Sequence, residues 1–203
     1  VNNKKLLFYN LVQVFFLTTG SNDLLDIKKL DPTIIIDLKY ATKDNFTCQI
    51  IYPSSVCYVH KDTACALSNV QKELSSMKLG LKIWDGYRSP AAQQKLWDVC
   101  AARYPDETER ELYVSNPKKG GRHTRGTAVD VTLVDHTGRE LEMPTAFDDF
   151  SSKAWTNDAT CTARAQKNRD LLHKIMHKHG FEEIKTEWWH FDLRGWQQYN
   201  IVL

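Results

Sequence analysis

The sequence lacks an excess of charge of either sign, an internal repeat, a low-complexity tract and an apolar run of membrane-spanning length. Its 27 basic and 25 acidic residues leave a formal net charge of +2. That balance offers no electrostatic footprint for a phosphate backbone, so no nucleic-acid partner is expected. The longest apolar stretch, near the start of the chain, is well short of the ~20 residues a spanning helix needs. None of the five cysteines, Cys48, Cys57, Cys65, Cys100 and Cys161, stands in a Cys-x2-Cys spacing, which removes a thiolate metal knot. What remains is 203 residues with 42% apolar and 26% charged content, the profile of one globular domain large enough for a real core.

The start of the chain reads as a separate segment. Lys4 and Lys5 precede the apolar run Leu6 to Leu17, and the small residues Thr18, Thr19 and Gly20 follow. A charged region, a short apolar region and a small-residue site are the features of an export signal. Residues 1–20 are therefore expected to be a signal peptide and residues 21–203 the folded domain, with export to the periplasm as the expected destination. No stable membrane span is expected once the signal is removed. Five cysteines fit an oxidising compartment. Their connectivity is open, with Cys48–Cys57 the local choice.

Periodicity supplies the elements. Thr33–Tyr40 reads as a strand entered through Asp31-Pro32. Ala64, Leu67, Val70, Leu74 and Met77 recur at helical spacing, and Gly80 is the expected stop. Leu81–Trp84 is a short strand that delivers Asp85-Gly86-Tyr87-Arg88 to a loop, and Ser89-Pro90 opens a helix to about Arg103. Residues 104–120 read as irregular. Strand 128–134 turns through Asp135-His136-Thr137-Gly138 into Arg139–Met143 as a hairpin. A polar loop, a helix from about Ala163 to His179 stopped by Gly180, and a hairpin of Phe181–Ile184 with Trp189–Arg194 complete the chain. Helices segregated from a mostly antiparallel sheet give an α+β fold.

Two stretches carry chemistry. The first is Gly121-Arg122-His123-Thr124-Arg125-Gly126-Thr127-Ala128-Val129-Asp130, and the second is Glu187-Trp188-Trp189-His190. Two histidines and a carboxylate can hold a metal ion with a coordination position left for water. Donors must converge to about 2.0–2.2 Å from the ion. The seven-residue separation of His123 and Asp130 is roughly 23 Å along a strand or about 10 Å along a helix. The chain must therefore fold back between them, and Gly126 is the residue that permits it. In Trp189–Arg194 apolar and polar residues alternate, so Trp189, Phe191 and Leu193 should face a core and His190 a cleft. His173 and His177 stand at i, i+4, but flanking lysines and the lack of a third donor favour a solvated helix face.

These motifs resemble the D-alanyl-D-alanine dipeptidases, zinc peptidases that include the vancomycin-resistance dipeptidase. The resemblance runs from about Leu30 to about Leu193. It takes in Tyr40-Ala41-Thr42, Asp44-Asn45-Phe46-Thr47, Trp84-Asp85-Gly86-Tyr87-Arg88 and Phe147-Asp148. It implies one zinc ion per chain on His123, Asp130 and His190, set in a cleft, with Glu187 as general base and Arg88 stabilising the transition state. It implies Asp148 as partner of the substrate ammonium, with Asp149 as the fallback, and a small D-amino-acid dipeptide as substrate. The role implied is cell-wall dipeptide turnover or glycopeptide resistance, and export favours the former. Relatives commonly carry Ser two residues before the first histidine, where this chain has Gly121, which bears on substrate affinity. Two other readings share the motifs. One is a zinc D,D-carboxypeptidase or endopeptidase acting on peptidoglycan stems, which the Phe147-Asp148 pair argues against. The other is a zinc-stabilised binding module without activity, which would be expected to lack Glu187 or Arg88. The sequence leaves the oligomeric state open.

Overall fold

The computed structural model describes residues 23–203; the expected signal peptide lies outside the described residues. The main sheet has five strands in the order β2 (Ile35–Ile36), β4 (Leu79–Asp85), β5 (Ala128–Asp135), β7 (Glu187–Leu193) and β6 (Phe181–Ile184). β2 pairs in parallel with β4, and every other pairing in this sheet is antiparallel. A second, two-stranded sheet joins β1 (Leu24–Asp26) to β3 (Tyr58–His60). The helices are α1 (Ile27–Leu30), α2 (Lys61–Ser76), α3 (Pro90–Arg103), α4 (Glu107–Arg110) and α5 (Ala163–Lys178). This is the expected single-domain α+β arrangement with a mostly antiparallel sheet.

Why the helices lie where they do follows from their faces and caps. Ala64, Leu67, Val70 and Leu74 of α2 are wholly buried and recur on the face turned to β4 and α5. Each such Leu or Val contributes roughly 1.5–3 kcal/mol when removed from water. Helix α3 begins as its sequence dictates: Ser89 Oγ accepts the Ala92 N–H at 3.2 Å and Pro90 takes the first position. Helix α5 is capped by Thr162, whose Oγ1 accepts the Ala165 N–H at 3.1 Å, and ends at Gly180 with φ +93°.

Tertiary packing overrides local preference at several points. Only Ile35–Ile36 of the expected 33–40 strand pairs as one. Beyond it the chain tightens into a 3-10 turn at Lys39–Ala41 that buries the Tyr40 ring. Gly80 does not stop α2; Lys78 takes the left-handed conformation, φ +60°, instead. Gly80 is a strand residue, and a Cβ on it would stand 3.3 Å from the Gln71 amide, whose Oε1 accepts the Leu81 N–H at 2.8 Å. The 104–120 stretch contains α4, capped by Asp106 Oδ1 accepting from Glu109 N–H at 2.9 Å. Residues 139–143 fold back on β5 through Leu141 N–H to Leu133 O at 2.9 Å and one isolated bridge, Val134 to Glu140, without forming a strand. The local cysteine pairing is also corrected: all five thiols are free. Cys48 is exposed, while Cys57 is buried with its Sγ against Gly86.

Candidate active site

The three expected metal donors come together. His123 opens a 3-10 turn, His123–Arg125, that ends on Gly126 at φ +69°. A side chain there would do more than strain the backbone, because its Cβ would stand 2.7 Å from His60 N and from Leu24 Cδ2. The turn reverses the chain so that β5 runs back past it, and Asp130 on β5 lies directly across from His190 on β7. One donor atom each from His123, Asp130 and His190 falls within 4.8 Å of the others, and all three residues are buried. Among the described residues this is the one such group of His, Cys, Asp and Glu donors.

Both imidazoles are oriented from behind. His123 Nδ1 lies 2.8 Å from the Gly86 carbonyl, which can only accept, so Nδ1 carries the hydrogen and Nε2 presents its lone pair. His190 Nε2 lies 3.0 Å from Asp192 Oδ1, leaving Nδ1 toward Asp130 Oδ1 at 2.9 Å. Arg122 Nε stands 2.9 Å from the other Asp192 oxygen, and its guanidinium lies over the Trp196 ring. Burial resists ionisation of Asp130, but His123 and His190 outweigh it and hold the carboxyl below its usual range. Burial likewise disfavours the imidazolium of His190, yet Asp192 and Asp130 raise its pKa well above the ordinary value. The triangle thus offers a cation one carboxylate and two imidazole nitrogens that converge within 4.8 Å, with the proton on His190 displaced when a metal takes its place. These residues fit a metal ion.

Around the triangle lies a cleft of about 300 Å³ whose wall includes Tyr40, Arg88, Tyr113, Asp148, Glu187 and Trp189. Glu187 Oε2 is 3.9 Å from His190 Nδ1, set back from the converging donors. Burial first, and the Asp130 charge after it, push its carboxyl up to about 7 against the pull of His190, His123 and Arg88. Arg88 is buried and doubly held. Its Nε meets Asp85 Oδ2 at 3.2 Å and its Nη1 donates to Gln93 Oε1 at 3.1 Å, while the Tyr40 ring lies under it at 5.2 Å. Asp85 also accepts from the Gly86 N–H at 2.8 Å and from the Tyr52 hydroxyl. The Arg88–Asp85 ion pair is therefore interior, where its hydrogen bonds fix the guanidinium in one pose.

Asp148 rather than Asp149 faces the cleft. It holds a left-handed backbone, φ +59°. Its carboxylate accepts from the Tyr40 hydroxyl at 3.1 Å and from the Phe46 N–H at 3.3 Å. Burial raises its pKa to about 7, with Asp130 adding to the rise while Phe46 and Tyr40 oppose it. Asp149 instead accepts the Ser151 N–H at 2.8 Å and borders a neighbouring apolar pocket. Trp189 is buried as expected, but it also walls the cleft. His173 and His177 lie apart and are half-buried rather than solvated. His173 Nε2 donates to Trp188 O at 2.9 Å and its ring meets Phe191, while His177 pairs with Glu183. At Gly121 an added Cβ would meet Ser115 Cβ at 3.4 Å, ordinary contact, so the absent serine reflects no lack of room.

Sequence reasoning missed the supports: the Gly86 carbonyl, Asp192, Gln93 and the Tyr40 hydroxyl. Asp192 alone left a signal, since it stands two residues beyond His190 on a strand and shares its face. The others act through backbone or from distant segments that no spacing connects.

A buried His–Asp–His triangle sharing a cleft with a near-neutral carboxyl and a locked guanidinium defines a metallopeptidase. The model for the D-ala-D-ala dipeptidase family matches residues 20–201, and the chain belongs to that family. It is similar to the D-alanyl-D-alanine dipeptidase of Escherichia coli (strain K12), 38% identical over 184 residues and 91% of each chain. It also resembles the enzyme of that name from Enterococcus faecalis, 33% identical over 172 residues, 77% of this chain and 84% of the relative. The fold matches that of an LD-carboxypeptidase at a TM-score of 0.50 and 18% identity, covering 89% of this chain and 72% of that one.

Proposed function

We propose that this protein hydrolyses the dipeptide D-alanyl-D-alanine to two D-alanines, using one zinc ion held by His123, Asp130 and His190. The observation that carries the reading is the shared cleft. It brings the donor triangle, the Glu187 carboxyl set back from it and a second carboxyl at Asp148 onto the wall of one cleft of about 300 Å³, room for a dipeptide-sized ligand. Bound zinc would supply Lewis acidity and lower the pKa of a water toward about 7.

The protein's own groups do the rest. Glu187, with a pKa brought to about 7 by burial, is matched to take a proton from the attacking water and to return it to the leaving amine. Arg88, immobilised by Asp85 and Gln93, brings positive charge to the scissile carbonyl oxygen as negative charge develops. Because the guanidinium is already in place, no reorganisation is needed during the reaction. Asp148 meets the free ammonium of the dipeptide. A longer peptide offers an uncharged amide there and would leave that carboxylate unpaired, which favours dipeptides over stem peptides.

The direct test is hydrolysis of D-Ala-D-Ala by zinc-supplemented protein, with L-Ala-L-Ala and a pentapeptide stem as controls and bound zinc measured alongside. The free D,D-dipeptide should be the preferred substrate; equal or faster cleavage of the stem would assign a carboxypeptidase instead. We further propose export, on the Lys4-Lys5 and apolar-run pattern of residues 1–20. A fusion of residues 1–25 to a reporter active only outside the cytoplasm should give signal, and a silent fusion would overturn that reading.

A further inference from the structure

The turn that carries His123 is three residues long and closes locally through Gly126 N–H to His123 O at 3.0 Å and through the Thr124 hydroxyl on Gly121. Its outward carbonyls also take partners from elsewhere in the chain, which fix where the turn sits. His123 O accepts the Arg88 N–H at 3.1 Å, and Gly126 O accepts the His60 N–H at 2.8 Å. Between them Thr124 O accepts from the far end of the chain, the Val202 N–H, at 2.9 Å. Val202 is itself tied on its other side. Its carbonyl accepts the Tyr87 hydroxyl at 2.9 Å, and Tyr87 directly precedes Arg88.

The same segment is fastened on both flanks. Tyr199 packs edge-on against His60 at 4.6 Å and donates its hydroxyl to Asp62 at 3.0 Å. Ile201 covers Gly120 so closely that a Cβ on that glycine would fall 2.3 Å from Ile201 Cδ1. We propose that residues 199–203 form a strap that joins the His123 turn to the Tyr87–Arg88 loop, with Val202 and Tyr87 as positioning residues for the first metal ligand and the guanidinium. The proposal rests on the zinc reading above. Neither residue lines the cleft, so the strap acts through the two groups it holds together and not by touching substrate.

The test uses the full chain loaded with zinc. Three quantities are followed: transfer of zinc to an excess of chelator, the absorption spectrum of the cobalt(II)-substituted protein, and kcat separately from KM. Val202→Pro removes the N–H. Loss of one such bond corresponds to about a fivefold effect, so zinc should leave about fivefold faster and kcat should fall by a similar factor. KM should hold, since Asp148 is untouched, and the cobalt spectrum should shift. Val202→Ala, which restores the N–H, should rescue all three. Tyr87→Phe should reproduce part of the defect and add nothing to Val202→Pro, because the strap is then already released. If Val202→Pro keeps its zinc and kcat, or if Val202→Ala is equally impaired, the strap is only packing and the proposal fails. A wild-type protein that holds no zinc would overturn this proposal and the zinc reading together.

Discussion

Glu187 and Asp130 are both carboxylates in one cleft, yet their surroundings assign them different work. Asp130 is held ionised between two histidines, while Glu187 is kept near neutrality by burial. Glu187→Ala should cost about 10²–10⁴ in hydrolysis rate while leaving close to one zinc per chain. Asp130→Ala should lose metal and activity together, and metal analysis of both variants separates the roles. Asp148 adds a pH dependence. Its carboxyl is raised from 3.8 to about 7 by burial, so between those values the folded state holds a proton the unfolded state has released. Stability should therefore fall as pH rises through that window, by up to about 1.4 kcal/mol per unit. Dipeptide affinity should do the opposite, rising through about 7 as the carboxylate forms to meet the ammonium. Asp148→Asn should flatten the affinity trend and lessen the stability trend, to which the raised Glu187 carboxyl still contributes, read as KM and urea midpoints at about pH 5 and about pH 8.

At the scale of elements, the turn at 123–126 and the start of α3 can be separated by substitution. Gly126→Ala places a side chain at φ +69° against His60 and Leu24. We expect a loss of about 2 kcal/mol or more in stability, with weakened metal retention, because the displaced turn carries His123. Ser89→Ala removes only a helix cap and should cost about 1 kcal/mol with metal retained; thermal melts and zinc content on both variants check the contrast. These elements also show what the sequence made legible. Gly126, Ser89-Pro90 and the alternation through His190 each encode a local conformation, and each was readable from a short window. Lys78 replacing Gly80 as the end of α2, and the collapse of the 33–40 strand after Ile36, were not. The buried Tyr40 ring and its hydroxyl on Asp148, more than a hundred residues away, show the kind of partner that a short window of sequence cannot reveal.

Across the whole molecule, the metal donors tie β5 to β7, two central strands of the five-stranded sheet. A metal bound there stabilises the folded state by mass action, about 4 kcal/mol at a thousandfold excess over Kd. Chelation should therefore lower the melting temperature by roughly 10 °C, and Asp130→Ala should show no such response. Motif order and the resemblance made the donor set legible; the three-dimensional frame behind it, from Gly86 to Asp192 and Val202, was assembled only by folding. Asp148 sits in that frame with a backbone conformation that, apart from glycine, aspartate and asparagine tolerate best. Asparagine is also the neutral isostere of aspartate, one nucleotide away in any codon. If Asp148 meets the substrate ammonium as proposed, its charge can be switched off with no rebuilding of the loop. Under the proposed role of Asp148, one nucleotide change would therefore be enough to relax the preference for a free amino end.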